Sequence, residues 1–545
     1  MIKKNIVILI LGLAFSSIPA QFEFNEQNSL NRNGSDTDGL PSNAIVDIAI
    51  TDSNIIYFAT GGGLGYWDMN IDFPPYPDPV TFYTVNNPEM PRGSNPCVVS
   101  SENVIAVSGK LDTLANNNTH FMGTGIGYST DGGEIWKYKP QPVHPRDSEL
   151  VIDFEWGGQT LQQLAITTEI QNVSWDLAIQ GNYIYSTSWA GGLRRFDFTN
   201  DESEWESIAL PLDNERLQYC GYIDDDNYQL NPLDPNLGNS GNHNHKGFSV
   251  FAMGDSLLWV GTANGINKGT IRDECIDWVH YTTTVDGFSG NWVYGFESQQ
   301  IDEETTRLWA VTWSTGGVET NSISWTDDFG ENWYYSHYLE NIGAKVIDIS
   351  VDEITQRVYV ATEIGLYVNV DIENDYWERY DYPSEFGESI LTEFTYSSET
   401  LEDILFYGSG DGLAITNDDG INWDVIRFWK EPEDPSLGDE NFYAYPNPFY
   451  VNDNLMMNGD GHIRFAFFTD GQQGVEDRMN YNFDIFDFSM NYVVNDLYFS
   501  VGQFNKGEIV WNGRNDWGET VANGVYFCRL TIGDETYWTK VLVVN

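Results

Sequence analysis

Four groups of residues in this 545-residue sequence have types and spacings that could do chemistry. Glu363, in "TEIG", and Asp411, in "GSGDG", could supply the two carboxylates, roughly 5 to 10 Å apart, that flank a glycosidic bond during hydrolysis. Asp224, Asp225 and Asp226, with His243 and His245 of "NHNH" further along, offer oxygen ligands for Ca²⁺ or a mixed set for a transition metal, at a spacing that matches no defined metal loop. Trp189, in "SWAGG", and Trp313, in "TWSTGG", carry indole faces suited to stacking on a sugar ring or anchoring a protein partner. The fourth group is a turn that returns three times, as "STDGGEIW" (129–136), "TDDFGENW" (326–333) and "TNDDGINW" (416–423).

Each group has a plainer reading. A thrice-repeated turn is architecture before it is a site: its Asp can accept turn N–H groups, its Gly can take positive φ and its Trp can pack at a sheet boundary. The tryptophans at 189 and 313 can pack over a central channel, and the acidic insertion can be a solvated loop. Two acids on one face mean little in a chain with 82 Asp and Glu. The expectation is a non-catalytic chain with no cofactor, Ca²⁺ being the cation the acidic insertion would suit.

The elements that must position these residues are repeats. An apolar strand, a small or hydroxyl residue and a Gly followed by an aliphatic recur with the glycine at 63, 125, 192, 265, 317, 365 and 412. The intervals fall to a floor of 47 with insertions above it, as a repeated four-stranded unit would give. The last unit reads "SILTEFTYS", "DILFYGSG", "GLAITNDDG", "INWDVIRFW": short β-branched and aromatic segments between Gly and Asp turns, without helical periodicity. One such sheet cannot bury both faces, whereas seven arranged radially can, so residues 21–430 are expected to form a seven-bladed β-propeller. In a four-strand meander the turns between second and third strands share a face with the inter-blade links, and the repeated Asp turns lie on the other. The two long links, 141–172 and 211–247, are therefore expected to project opposite the Asp turns, over adjacent blades 3 and 4, where binding is first sought.

The opening "MIKKNIVILILGLAFSSIPAQ" has the layout of a cleaved secretory signal over residues 1–20, and no later stretch reaches the ~20 apolar residues of a membrane span. Net charge is −56, which argues against nucleic acid and anionic lipid as partners. Cys97, Cys220, Cys275 and Cys528 make no C-x-x-C pair; a Cys220–Cys275 disulfide is one possibility in an oxidising compartment, and spacing alone does not fix the pairing. After the linker at 431–441, residues 442–545 hold about seven short strands, enough for a small sandwich and an all-β chain throughout.

Three resemblances add to this. The repeated turns resemble the Asp-box of sialidases and related propellers, with Ser129, Asp131, Gly133 and Trp136 in the first copy, Thr326, Asp328, Gly330 and Trp333 in the second, and Thr416, Asp418, Gly420 and Trp423 in the third; there the box is a structural hairpin away from the active centre. Residues 39–68 look like propeller repeats of large bacterial sensor and secretion proteins. The tail, through "YPNPF" (445–449), Trp511, Gly513, Arg514 and Gly518, "GVYF" (524–527) and Lys540, resembles the immunoglobulin-like sorting domains of type IX secretion, related to flagellar-hook-cap proteins. That resemblance implies passage through the outer membrane and release or attachment at the surface, with the tail removed in the process; Asn512 replaces the family's usual Asp, and a tail retained as a plain sandwich is the alternative. The reading is an exported protein, secreted or on the outer cell surface, that binds a glycan or surface protein. The alternatives are an extracellular glycoside hydrolase using Glu363 and Asp411, and a component of the secretion attachment machinery. A sialidase is disfavoured: no F/Y-R-I-P motif is present, and Arg194–Arg195 is the one adjacent arginine pair in the propeller segment.

Overall fold

The computed structural model describes residues 39–544 apart from 73–81, 116–117, 273–274, 372–373, 381–383, 386–387, 391, 428–441, 446, 452–461, 468–480, 498–499 and 502–506. The expected signal at 1–20 and the linker at 431–441 lie outside the described residues. The fold is all-β with a propeller arrangement. Seven antiparallel meanders follow one another at 45–84, 98–139, 176–207, 247–281, 292–335, 346–379 and 395–426, here sheets 1 to 7. The first strand of each packs against the first strand of the next, and that of sheet 7, Thr395–Leu401, against that of sheet 1, Ile45–Ile50. Among the described residues no helix is long and apolar enough to cross a membrane.

The recurring hydroxyl and glycine have a physical cause. Thr60, Thr262, Thr362 and Ser409 each donate from their hydroxyl to the carbonyl three residues on, at Gly63, Gly265, Gly365 and Gly412, clamping the turn between second and third strands. These four glycines take φ of 106° to 137°, which a side chain would strain. The marker glycine of sheet 5 differs from expectation: Gly317 sits in a loop, and the third strand begins later, at Ser322–Thr326.

Sheets 1 and 7 meet without strand exchange. Ile45, Ile56, Phe58 and Trp67 of sheet 1 bury against Phe406, Leu413 and Ile415 of sheet 7, with the Phe58 and Phe406 rings 6.2 Å apart. Side-chain apolar burial runs along this seam, and the Ser397 hydroxyl donates across it to Ile45 O at 3.3 Å.

The two long links correct the expectation that they project on the face opposite the Asp turns. The hairpin Val151–Trp156 and Gln159–Leu164 joins Gln229–Leu230 of the second link in a small sheet. Its Trp156, Leu161, Ile223, Tyr228 and Leu230 are buried with Tyr185, Leu258 and Trp278 of sheets 3 and 4. A Cβ at the hairpin tip, Gly157, would lie 2.8 Å from Cys275 Sγ, and Cys275 stands between the third and fourth strands of sheet 4, on the side of the Asp turns. The links thus run down the outside of the ring because their apolar residues find a groove there. A Cys220–Cys275 disulfide fastens the second link, while Leu217–Gln218 adds a fifth strand to sheet 4.

The described residues of 442–544 form two packed sheets of nine strands, where about seven were expected, around Phe442, Phe465, Phe483, Trp511, Leu530 and Val541. A buried contact joins this unit to the ring. Asp411, in the turn between second and third strands of sheet 7, accepts from Arg427 and from Arg464 of the strand Ile463–Phe467. All three side chains are at most 3% exposed.

The inner strands place five half-buried carboxyls around the centre of the ring: Asp47, Asp176, Glu297, Asp348 and Glu399. Among the described residues no lysine or arginine is within ion-pair distance of them. Desolvation pushes Asp47 and Asp348 up to about 7, Asp176 to about 6 and Glu297 to about 8, and raises Glu399.

Two outcomes follow. Phe406→Ala at the closing seam should cost about 3–5 kcal/mol in a denaturant titration, because the cavity opens where burial holds the ring shut. The raised carboxyls hold a proton in the folded chain that the unfolded chain releases; their stabilisation is complete below about pH 4 and is lost as pH rises through the folded values of about 6 to 8. Glu297→Gln should therefore match the parent Tm at about pH 4 and exceed it at about pH 8.5, where the parent's Glu297 has ionised.

Candidate ligand-binding site

The three repeated turns occupy equivalent places, between third and fourth strands of sheets 2, 5 and 7. In each, the hydroxyl of Ser129, Thr326 or Thr416 donates to Asp131, Asp328 or Asp418 at 2.7 to 2.9 Å and accepts from the N–H of Gly133, Gly330 or Gly420. The same Asp then accepts from the backbone N–H four residues on. Hydrogen bonds from Ile135 N–H and Ser129 hold the Asp131 carboxyl below its usual range. The glycines are forced by contact: a Cβ on Gly133 would stand 2.1 Å from the Tyr57 hydroxyl of sheet 1. Trp136 packs edge-on to Tyr57 and Trp333 to Trp259, each on the preceding sheet, and Trp423 joins Tyr359 of sheet 6 in one buried cluster. The hydroxyl and carboxyl groups of these turns are thus bonded within the turn, and the rings of Trp136, Trp333 and Trp423 are buried at sheet boundaries.

The other face is different. Trp189, in the turn between second and third strands of sheet 3, lies 5.4 Å from Phe248 and 6.1 Å from Trp292. Phe248 stacks on Tyr294 at 4.4 Å, and Tyr294 meets Trp313 at 3.9 Å. The two predicted tryptophans are thus the ends of one aromatic wall across sheets 3 to 5. Trp189, Trp292, Tyr294 and Trp313 are half-buried, leaving part of the wall open. Each end carries a cation: Lys246 Nζ stands 4.7 Å from the Trp189 ring centre and Lys345 Nζ 4.9 Å from that of Trp313. Lys246 also donates to His243 Nδ1 at 3.1 Å, and Trp313 Nε1 donates to Val346 O at 2.5 Å, so both ends are pinned. Such a wall can stack on a flat apolar face and hydrogen-bond at its margins.

Sequence reasoning missed Phe248, Trp292 and Tyr294. All three open the first strands Gly247–Met253 and Trp292–Gln300. First strands start at the face of the links, so an aromatic residue there points to the same rim as the Trp189 turn; that signal was present in "KGFSV" and "NWVYGF".

The remaining candidates separate. His245 is fully buried, with Asn231 N–H donating to its Nδ1 and its Nε2 facing Leu210 O, and burial pushes it down to about 4. It supports the link. His243 lies with Lys246 and Asp234, 3.5 Å from that carboxylate. Asp224, Asp225 and Asp226 are exposed, and their carboxylate oxygens come within 4.8 Å of one another. Glu363 is half-buried, its Oε1 3.4 Å from Lys345 N, whereas both oxygens of Asp411 are taken by guanidinium groups. An acid so enclosed has no free edge to offer a substrate.

No family model and no curated protein matches the chain. Among solved structures it is similar to virginiamycin B lyase from Staphylococcus aureus, at 12% identity over 68% of this chain and 94% of that one, with a TM-score of 0.38. PorZ, a surface component of the type IX secretion system of Porphyromonas gingivalis, is similar at 14% identity over 92% of this chain and 81% of that one, with a TM-score of 0.25. YCF48 bound to D1 peptide is similar at 13% identity over 70% and 95%, with a TM-score of 0.35.

Proposed function

We propose that the chain is an exported binding protein of the cell surface or the surrounding medium, which holds a glycan or protein ligand on the aromatic wall from Trp189 to Trp313. The observation that carries this reading is the wall itself: four half-buried aromatic side chains in contact, open on the face of the links and flanked by two lysines. Isolated surface aromatics need no explanation, whereas a contiguous, pinned cluster marks an interaction site.

In this reading the seven meanders are the blades of a seven-bladed propeller, and the three Asp turns are structural Asp-boxes. The C-terminal sandwich is an immunoglobulin-like domain that serves type IX-like secretion. A disulfide fastening the second link suits an oxidising compartment, in keeping with export. The net charge of −56 favours ligands that are not polyanions. The enclosure of Asp411 by Arg427 and Arg464 argues against its use as one of a hydrolase's two carboxylates.

A glycan array probed with the full chain, followed by a cleavage assay on each hit, tests this reading. Binding without turnover is expected, and Trp189→Ala and Trp313→Ala should each weaken it roughly tenfold or more at unchanged fold. Turnover abolished by Glu363→Gln would overturn it in favour of a hydrolase, and silence on glycans would leave a protein as the ligand.

A further inference from the structure

The rings of the aromatic wall divide by what covers them. Lys246 lies over Trp189 and Lys345 over Trp313, so each end ring already holds a cation of this chain. Tyr294 is held between Phe248, stacked on it at 4.4 Å, and Trp313 at 3.9 Å. Trp292 is different. Its plane stands at 81° to Trp189, 65° to Tyr294 and 54° to Phe248, so none of these rings stacks on it. Among the described residues no lysine or arginine lies over it either. An indole face is the best of the aromatic surfaces for a cation, and this one is half-buried and uncovered.

A carboxylate is fixed beside it. Glu319, half-buried in the loop that follows Trp313, accepts at Oε2 from Asn291 N–H at 3.2 Å, and Asn291 is the residue joined to Trp292. The same oxygen accepts from Thr315 N–H at 2.7 Å and from the Thr315 hydroxyl at 2.8 Å, two residues beyond Trp313. Its Oε1 accepts from Asn291 Nδ2 at 2.7 Å and from the Thr283 hydroxyl at 3.4 Å. Every one of these donors is neutral. Among the described residues no lysine or arginine is within ion-pair distance of Glu319. Neutral groups thus hold a negative charge at the margin of the wall with no cation to offset it.

The wall also offers hydrogen-bond donors. Trp189 Nε1, Trp292 Nε1 and the Tyr294 hydroxyl have no partner among the described residues, and none of the three is buried away from solvent. Donors set between ring faces match the hydroxyl oxygens of a sugar, whereas a lysine side chain carries no acceptor.

We propose that the wall binds an amino sugar, with its protonated amine on the face of Trp292 beside Glu319. The net charge of −56 draws a cationic ligand and repels a polyanion. Lys246 and Lys345 stay on the end rings, and Lys246 donates to His243, which lies 3.5 Å from the Asp234 carboxylate. The inference rests on the reading of the wall as the ligand site, and adds the charge and class of the ligand.

The test is calorimetric titration of the full chain at slightly acid pH and low salt, with three probes. Oligomers of glucosamine carry the amine, oligomers of N-acetylglucosamine carry the same rings without charge, and a lysine-rich peptide carries the charge without the sugar. The glucosamine oligomers should bind roughly tenfold more tightly than the acetylated ones. Trp292→Phe should lower that preference and Trp292→Leu remove it, because the attraction falls from indole to phenyl to none. Glu319→Gln should lower it roughly threefold, an effect that fades as salt is raised. Acetylated oligomers, titrated into each variant beside a Tm measurement, separate lost preference from lost fold, and Glu319→Gln supplies the test if Trp292→Leu does not fold. Equal binding of both oligomers, lost in Trp189→Ala, would overturn the charge and leave the wall as the ligand site. A preference for the amine that survives both Trp292→Leu and Glu319→Gln would put the cation elsewhere on the acidic surface and overturn the assignment. Peptide binding dependent on Trp292, without sugar binding, would overturn the saccharide. Failure of every probe would overturn the amino sugar, and the glycan array, which does not assume it, decides the wall separately.

Discussion

The ring depends on side chains of one strand reaching the backbone of the next. Asp47 Oδ2 accepts from Val98 N–H of sheet 2 at 2.8 Å, Asp176 Oδ2 from Val250 N–H of sheet 4 at 2.8 Å, and Asp348 Oδ2 from Ser398 N–H of sheet 7 at 3.0 Å. Where the inner strand carries serine the direction reverses, and the hydroxyls of Ser249 and Ser397 donate to carbonyls of the following sheets. Inner strands cannot satisfy one another by a ladder, since each already pairs with the second strand of its own sheet. Carboxylates and hydroxyls supply those missing partners. The cost is acid gathered at the centre of the ring with no lysine or arginine in ion-pair distance among the described residues, and protonation near neutral pH relieves it.

The order of elements was legible in the sequence because each turn needs a residue of narrow type. Gly63, Gly265, Gly365 and Gly412 stand where the backbone takes positive φ under a hydroxyl clamp, and Asp131, Asp328 and Asp418 cap the opposite turns. The inner aspartates were equally written, in "VDIAI", "WDLAI" and "IDISV", but the repeat is visible only when strands are aligned by register rather than by their glycines. The course of the two links was not legible. Their length suggested projection, whereas Trp156, Leu161 and Tyr228 are apolar residues that a groove between sheets 3 and 4 buries. Loop length says where chain is spare, and apolar content says where it goes.

The candidate site was legible at its ends. Trp189 and Trp313 lie in or beside turns, where an aromatic residue stands out, while Phe248, Trp292 and Tyr294 lie in strands, where aromatic residues are ordinary. What joins the five is an angular order around the ring, which follows from blade sequence and is invisible to linear spacing. Strand alternation, by contrast, sends Arg194 and Arg195, adjacent in sequence, to opposite sides of sheet 3.

Side chains in the turns between second and third strands divide one face of the ring among different tasks on a common backbone. In sheet 3 that turn presents Trp189; in sheet 6 it presents Glu363, and in sheet 7 Asp411. Asp411 is occupied by Arg464, so the C-terminal sandwich meets the ring on the face that carries the aromatic wall. Sheet 7 and sheets 3 to 5 stand on different sectors of a closed ring, which lets the sandwich dock without covering Trp189 or Trp313. A buried ion triad suits that docking better than an apolar contact. Removing one partner leaves the other charges uncompensated, so the sandwich is held in one position while present, and the ring keeps the Asp411–Arg427 pair if it is absent.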